Sequence, residues 1–152
     1  MGLDMYIYRK NRGEEVAYWR KANAVLKWLE RHLQTEEIEN CREYYIPKEM
    51  LEDLKADCLK VLSKPELEYK EIKVKKYNFE KKDYVEGTEM AKVLKDSSIA
   101  EELMPTESGF FFGPTLYDEW YLESLKNTVS QIDNILETTD FDEQDLYFNA
   151  WW

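Results

Sequence analysis

Residues 16–33 (VAYWRKANAVLKWLERHL) carry the most regular pattern in the chain. At about 100° per residue, Tyr18, Ala22, Val25, Leu26, Leu29 and Leu33 fall on one stripe. Arg20, Asn23, Lys27, Glu30 and Arg31 fall opposite. That period predicts a long amphipathic helix over the whole stretch. A helix with one apolar side constrains the rest of the chain, which must cover that side.

The other segments read as the cover. Leu3, Met5 and Ile7 alternate with Asp4, Tyr6 and Tyr8, the period of a half-buried strand. Residues 146–152 alternate in the same way, with Leu146, Phe148, Ala150 and Trp152 against Tyr147, Asn149 and Trp151. Neither strand has a hairpin partner beside it in sequence, so the two are expected to pair with each other. Residues 43–46 read as a short extended piece before Pro47, which suits the first turn of a second helix. Met50, Leu51, Leu54, Cys58, Val61 and Leu62 form its stripe, and Ser63-Lys64-Pro65 stops it. Another stripe runs through Tyr121, Leu122, Leu125, Val129, Ile132, Ile135 and Leu136, opened by Thr115 or Asp118 as a cap. Residues 90–94 and 99–104 read as short helical turns, and Gly109–Gly113 as a strand through three phenylalanines. Residues 66–89, rich in Lys and Glu, read as a protruding hairpin or loop. The expectation is one α+β domain over residues 1–152. A small, mostly antiparallel sheet containing both terminal strands packs against two long and one or two short helices.

Charge narrows the function. The net charge is −11, unevenly spread. Residues 1–33 carry seven Lys/Arg against four Asp/Glu, residues 34–104 carry 13 against 18, and residues 105–152 carry one against ten. Direct nucleic-acid binding needs a basic face, which only the first segment could supply. The acidic last third suits a basic protein surface instead. No apolar run reaches the ~18 residues of a membrane span, and no signal sequence is visible at the start. Two cysteines, Cys41 and Cys58, and a single histidine, His32, give neither a disulfide framework nor a His/Cys metal site. The reading is a cytoplasmic chain with no cofactor and no metal.

No motif organises a reaction. The five glycines form no phosphate loop, and His32 has no serine or cysteine close to it in sequence, so a nucleophile pair with Cys41 would have to form in space. Asp140, Asp142, Glu143 and Asp145 lack the glycine and closing glutamate of a calcium loop. Catalytic residues are therefore not assigned. Two sets remain as binding candidates. Asn23, a weak helix former in mid-helix, has Arg20 one turn before it and Lys27 one turn after, an arrangement suited to a small anionic ligand. Arg20 and Asn23 would line, with Tyr6, Phe111 and Asp118, a pocket between the first helix and the sheet. The second set is the acidic stretch Asp140, Asp142, Glu143 and Asp145 with the aromatics beside it, notably Trp151.

Residues 1–6 (MGLDMY), 18–23 (YWRKAN), 109–113 (GFFFG) and 117–121 (YDEWY) resemble a group of small proteins of bacteriophages and prophages. The resemblance covers both ends of the chain and not its Lys/Glu-rich middle, and it carries over no catalytic residue. It implies an accessory protein of the bacterial cytoplasm. Such a protein would inhibit or redirect a host protein, for instance one of host defence, through its acidic, aromatic surface. The alternative is a small-ligand or nucleotide-binding protein, or a hydrolase, built on the pocket.

Overall fold

The computed structural model describes residues 2–11, 13–109 and 112–152. Ten elements follow in order: β1 (Asp4–Arg9), β2 (Glu14–Arg20), α1 (Asn23–His32), β3 (Tyr44–Ile46), α2 (Lys48–Leu62), β4 (Leu67–Asn78), β5 (Asp83–Leu94), α3 (Ser98–Leu103), α4 (Glu119–Thr138) and β6 (Leu146–Trp151). The chain is an α+β domain with two antiparallel sheets. One has four strands in the order β2-β1-β6-β3; the other is the β4-β5 ribbon.

The terminal strands pair as their alternation predicts. Met5 stands opposite Ala150 and Ile7 opposite Phe148, all four buried. The helices cover this side of the sheet. Ala22, Leu26, Leu29, Leu125 and Ile132 are buried in one core, with Val129 packed against it.

The long first helix is corrected. Its first third is β2, the antiparallel neighbour of β1, and only residues 23–32 are helical. Gly13, at φ +62°, gives the connecting turn its left-handed residue. Val16-Ala17-Tyr18-Trp19 satisfies both periods, and its β-branched and aromatic residues favour the pleated surface once β1 is available to pair. Alternation then replaces the helical stripe. Trp19 is buried and donates Nε1–H to Thr128 Oγ1 at 2.9 Å, while Tyr18 is exposed. Two residues assigned to the wet side, Asn23 and Glu30, are also buried.

α2 starts directly after Pro47 and buries Leu51, Leu54, Cys58 and Val61. Residues 90–94 are not helical; they close β5, whose Met90 to Leu94 pair with β4. α4 is capped by Asp118, which accepts Tyr121 N–H at 2.9 Å, rather than by Thr115. At its other end Arg9, turned inward from β1, donates to Thr138 O and to Thr138 and Thr139 Oγ1, 3.0–3.1 Å. A cation there complements the negative end of the helix dipole. The expected strand through Gly109–Gly113 includes Phe110 and Phe111, which lie outside the described residues; Phe112 and Gly113 are not in a strand.

Candidate functional site

The predicted pocket residues separate. Arg20, Asn23 and Asp118 line one recess of about 210 Å³ with Lys21, Trp120 and Ser124. Asn23 is not free within it. Its Nδ2 donates to Phe112 O and Pro114 O at 3.1 and 3.0 Å, and its Oδ1 accepts Glu107 N–H at 3.0 Å. The side chain pins the 105–117 loop onto the start of α1. Lys27 does not turn toward Arg20 either; it lies 4.0 Å from both Glu30 and Glu107. Tyr6 is absent from the recess: it lies in the middle of β1 on the side of the sheet away from the core, a side that Arg20 shares while reaching the recess from the end of β2. Phe111 lies outside the described residues.

Beside that loop is a group that periodicity concealed. Glu30 is buried; its Oε1 accepts Ile38 N–H at 3.3 Å. Burial pushes its carboxyl up to about 7, with the neighbouring Glu107 carboxylate adding to the shift. Glu107 Oε2 is itself buried without a hydrogen-bond partner among the described residues.

Tyr6 belongs to the uncovered side of the four-stranded sheet. The register sets three rows across it: Tyr45-Tyr147-Tyr8-Glu15, then Asn149-Tyr6-Tyr18, then Trp151-Asp4-Arg20. The rings touch within rows, with centroids 5.8 Å apart for Tyr45 and Tyr147, 6.4 Å for Tyr147 and Tyr8, and 5.1 Å for Tyr6 and Tyr18. Tyr45 and Trp151 are about half exposed. Acids hold the hydroxyls: Tyr18 donates to Asp4 at 2.5 Å, and a hydrogen bond from Tyr8 lowers the Glu43 carboxyl below its ordinary range. Lys10 bridges Glu43 and the Tyr147 ring. Tyr147 is one of the aromatics expected beside the acidic stretch, whereas Tyr8, Tyr18 and Tyr45 are not among the site residues the sequence singles out. The alternation of β1 and β6 points Tyr8 and Tyr147 outward, but only the register places Tyr45 and Tyr18 beside them.

The acidic stretch continues from this side. Tyr45 also lines a depression of about 470 Å³ with Lys48, Asp140, Phe141 and Asp142. Asp140, Asp142, Glu143 and Asp145 are exposed and make no ion pair within 4 Å among the described residues. Neither Arg9 nor Lys10, the bases at the end of β1, neutralises this charge. Arg9 turns inward and pairs with Glu14, Lys10 pairs with Glu43, and Arg12 lies outside the described residues. Asp140 Oδ1 accepts Asp142 N–H in a local turn. Among the described residues no cluster of three or more His, Cys, Asp or Glu is placed to hold a metal. His32 stacks on Trp28 and contacts Trp28 O at 2.8 Å, and the exposed Cys41 thiol donates to Asn40.

No protein-family model, curated protein or solved structure matches this chain. No helix among the described residues is long and apolar enough to cross a membrane.

Proposed function

We propose that this chain is a non-catalytic interaction protein that docks onto a basic protein surface. The observation that carries this reading is the uncovered side of the four-stranded sheet, where Tyr6, Tyr8, Tyr18, Tyr45, Tyr147 and Trp151 share one surface with Asp4 and Glu15, and with Glu43 just before β3. Half-exposed rings on a rigid sheet supply short-range binding energy at small entropic cost. The unpaired acids of residues 140–145 supply long-range attraction. In the phage setting that the sequence resemblance implies, the partner is a host protein in the bacterial cytoplasm, whose activity is blocked or redirected. Its basic surface would be one that handles nucleic acid or serves in defence.

The test is affinity capture from bacterial lysate with the parent, with Tyr45→Ala/Trp151→Ala, and with Asp140→Asn/Asp142→Asn/Glu143→Gln/Asp145→Asn. A protein retained by the parent and lost from both variants, whose melting temperatures match the parent's, is the expected result. Equal retention by all three overturns the reading.

A further inference from the structure

The β4-β5 ribbon has one edge that nothing among the described residues covers. The outer edge of β5 meets the body at its base, where Leu94 N donates to Tyr117 O at 2.8 Å and Val93 bridges Asp118. The outer edge of β2 is answered by the Gln131 side chain, which accepts Tyr18 N–H and donates to Tyr18 O. Among the described residues the outer edge of β4 has no such neighbour. Lys95 N donates to Glu66 O at 2.9 Å, so in the observed register residues 66 and 95 form a bonded pair. Alternation along an antiparallel ladder then turns the backbone N–H and C=O of Leu67, Tyr69, Glu71, Lys73, Lys75 and Tyr77 outward. Among the described residues no hydrogen bond reaches these outward groups. A two-stranded ribbon is marginal in water by itself, and a long open edge is a template for another strand.

The sequence of β4 complements itself. Two copies placed antiparallel about Ile72 set Glu71 against Lys73, Glu68 against Lys76, Tyr69 against Lys75 and Leu67 against Tyr77, each twice by symmetry. Ile72 faces Ile72, and no like charges stand opposite. The neighbouring symmetric registers fail this test. Centring on Lys70, Glu71 or Lys73 sets that residue against itself, and centring on Val74 sets Lys73 against Lys75. Within one chain Glu68, Glu71, Lys73 and Lys75 have no ion-pair partner within 4 Å among the described residues, while Lys76 meets Glu89 at 3.2 Å.

We propose that the chain forms a two-fold homodimer by antiparallel pairing of the β4 edges about Ile72, giving a four-stranded sheet in the order β5-β4-β4-β5. Roughly a dozen backbone hydrogen bonds are available, two for each outward-facing pair. The register also accounts for aromatic rings that the single chain leaves in water. Phe79 is 84% and Tyr84 67% exposed at the ribbon tip, where both pack edge-on against Tyr77. Pairing brings Tyr77 beside Leu67 of the second copy, next to a groove of about 460 Å³ lined by Pro65, Glu66, Leu94 and Ile99.

Sedimentation equilibrium of the parent should give twice the 18.3 kDa chain mass. Lys73→Glu/Lys76→Glu and Glu68→Lys/Glu71→Lys should each sediment as monomers, and their 1:1 mixture should restore the dimer, because every opposed pair is then again of opposite charge. Ile72→Cys, in a Cys41→Ser background, should cross-link under mild oxidation. A pair across the two-fold that is not mutually hydrogen-bonded has Cα atoms about 4.5 Å apart, within disulfide reach; Lys70→Cys should not cross-link. A monomeric parent, a mixture that stays monomeric, or a dimer indifferent to the charge changes overturns the proposal. So does a monomer that binds oligo(dT) or phosphatidylserine vesicles through the ribbon. A mixture that dimerises without the Ile72→Cys cross-link overturns the register.

Discussion

Two buried polar side chains carry more structural weight than their place in the sequence suggests. Asn23 joins the start of α1 to the 105–117 loop through three hydrogen bonds. Asn23→Ala leaves buried backbone groups unpaired, which costs about 1–3 kcal/mol. The expected result is a lower urea midpoint and faster proteolytic cleavage in the loop; unchanged stability would show that the loop is held by other contacts. Glu30 makes a pH-dependent prediction. Its carboxyl is raised from 4.5 to about 7 in the folded chain. Below pH 4.5 both folded and unfolded states hold the proton, and the stabilisation is fully present. Between 4.5 and 7 the unfolded state has released it while the folded state keeps it, so stability falls as pH rises. Above 7 the loss is complete. Glu30→Gln removes this slope, so the difference between parent and variant in urea midpoint should change through that window and level off above it. Parallel profiles would show that Glu30 titrates normally. Lys27 and Glu107 face the group and remain in both proteins.

At the level of elements, α4 ties the domain together. It packs on α2 and on β2, takes its first-turn cap from Asp118 and its last-turn cation from β1. Leu125, at its centre, is fully buried in the core that also holds Leu26, Leu29 and Ile132. Leu125→Ala should cost about 2–5 kcal/mol as a large-to-small change. A loss below ~0.5 kcal/mol in chemical denaturation would mean that the site collapses around the smaller side chain. β2 shows the limit of periodicity. Tyr18 and Ala22 fit a helical stripe, but pairing with β1 buries Trp19 and leaves Tyr18 in water. A short segment compatible with both periods takes the one for which a partner strand exists.

Across the whole molecule, charge and surface shape act together. The excess negative charge of residues 105–152 is gathered in part on the turn between α4 and β6, beside Tyr45 at the edge of the tyrosine rows. Attraction of this kind acts mainly on the rate of encounter. For a basic partner, raising salt from ~20 to ~200 mM should slow association several-fold while leaving dissociation nearly constant, and surface plasmon resonance on the captured protein measures both. A salt-insensitive on-rate would remove the acidic turn from the interface and leave the rings alone. The ribbon is a separate surface, so loss of dimerisation in the charge variants and loss of partner capture in the Tyr45 and Trp151 variants are independent results.

By itself the sequence determined whatever depends on local period and punctuation. The alternation of Leu3–Tyr8 and Leu146–Trp152, the stripes of α2 and α4, and the stop at Ser63-Lys64-Pro65 all stand in the fold, because a single strand or helix must turn its apolar side inward whatever covers it. The antiparallel α+β class follows from those elements. Tertiary structure alone decided what depends on neighbours distant in sequence. It made a strand of Val16–Arg20 and placed Tyr45 beside Tyr147. It withdrew Asn23 from any ligand to hold a loop some ninety residues away, and set Glu30 against Glu107. Each of these outcomes is a matter of register or burial, and neither is encoded in the spacing of one segment.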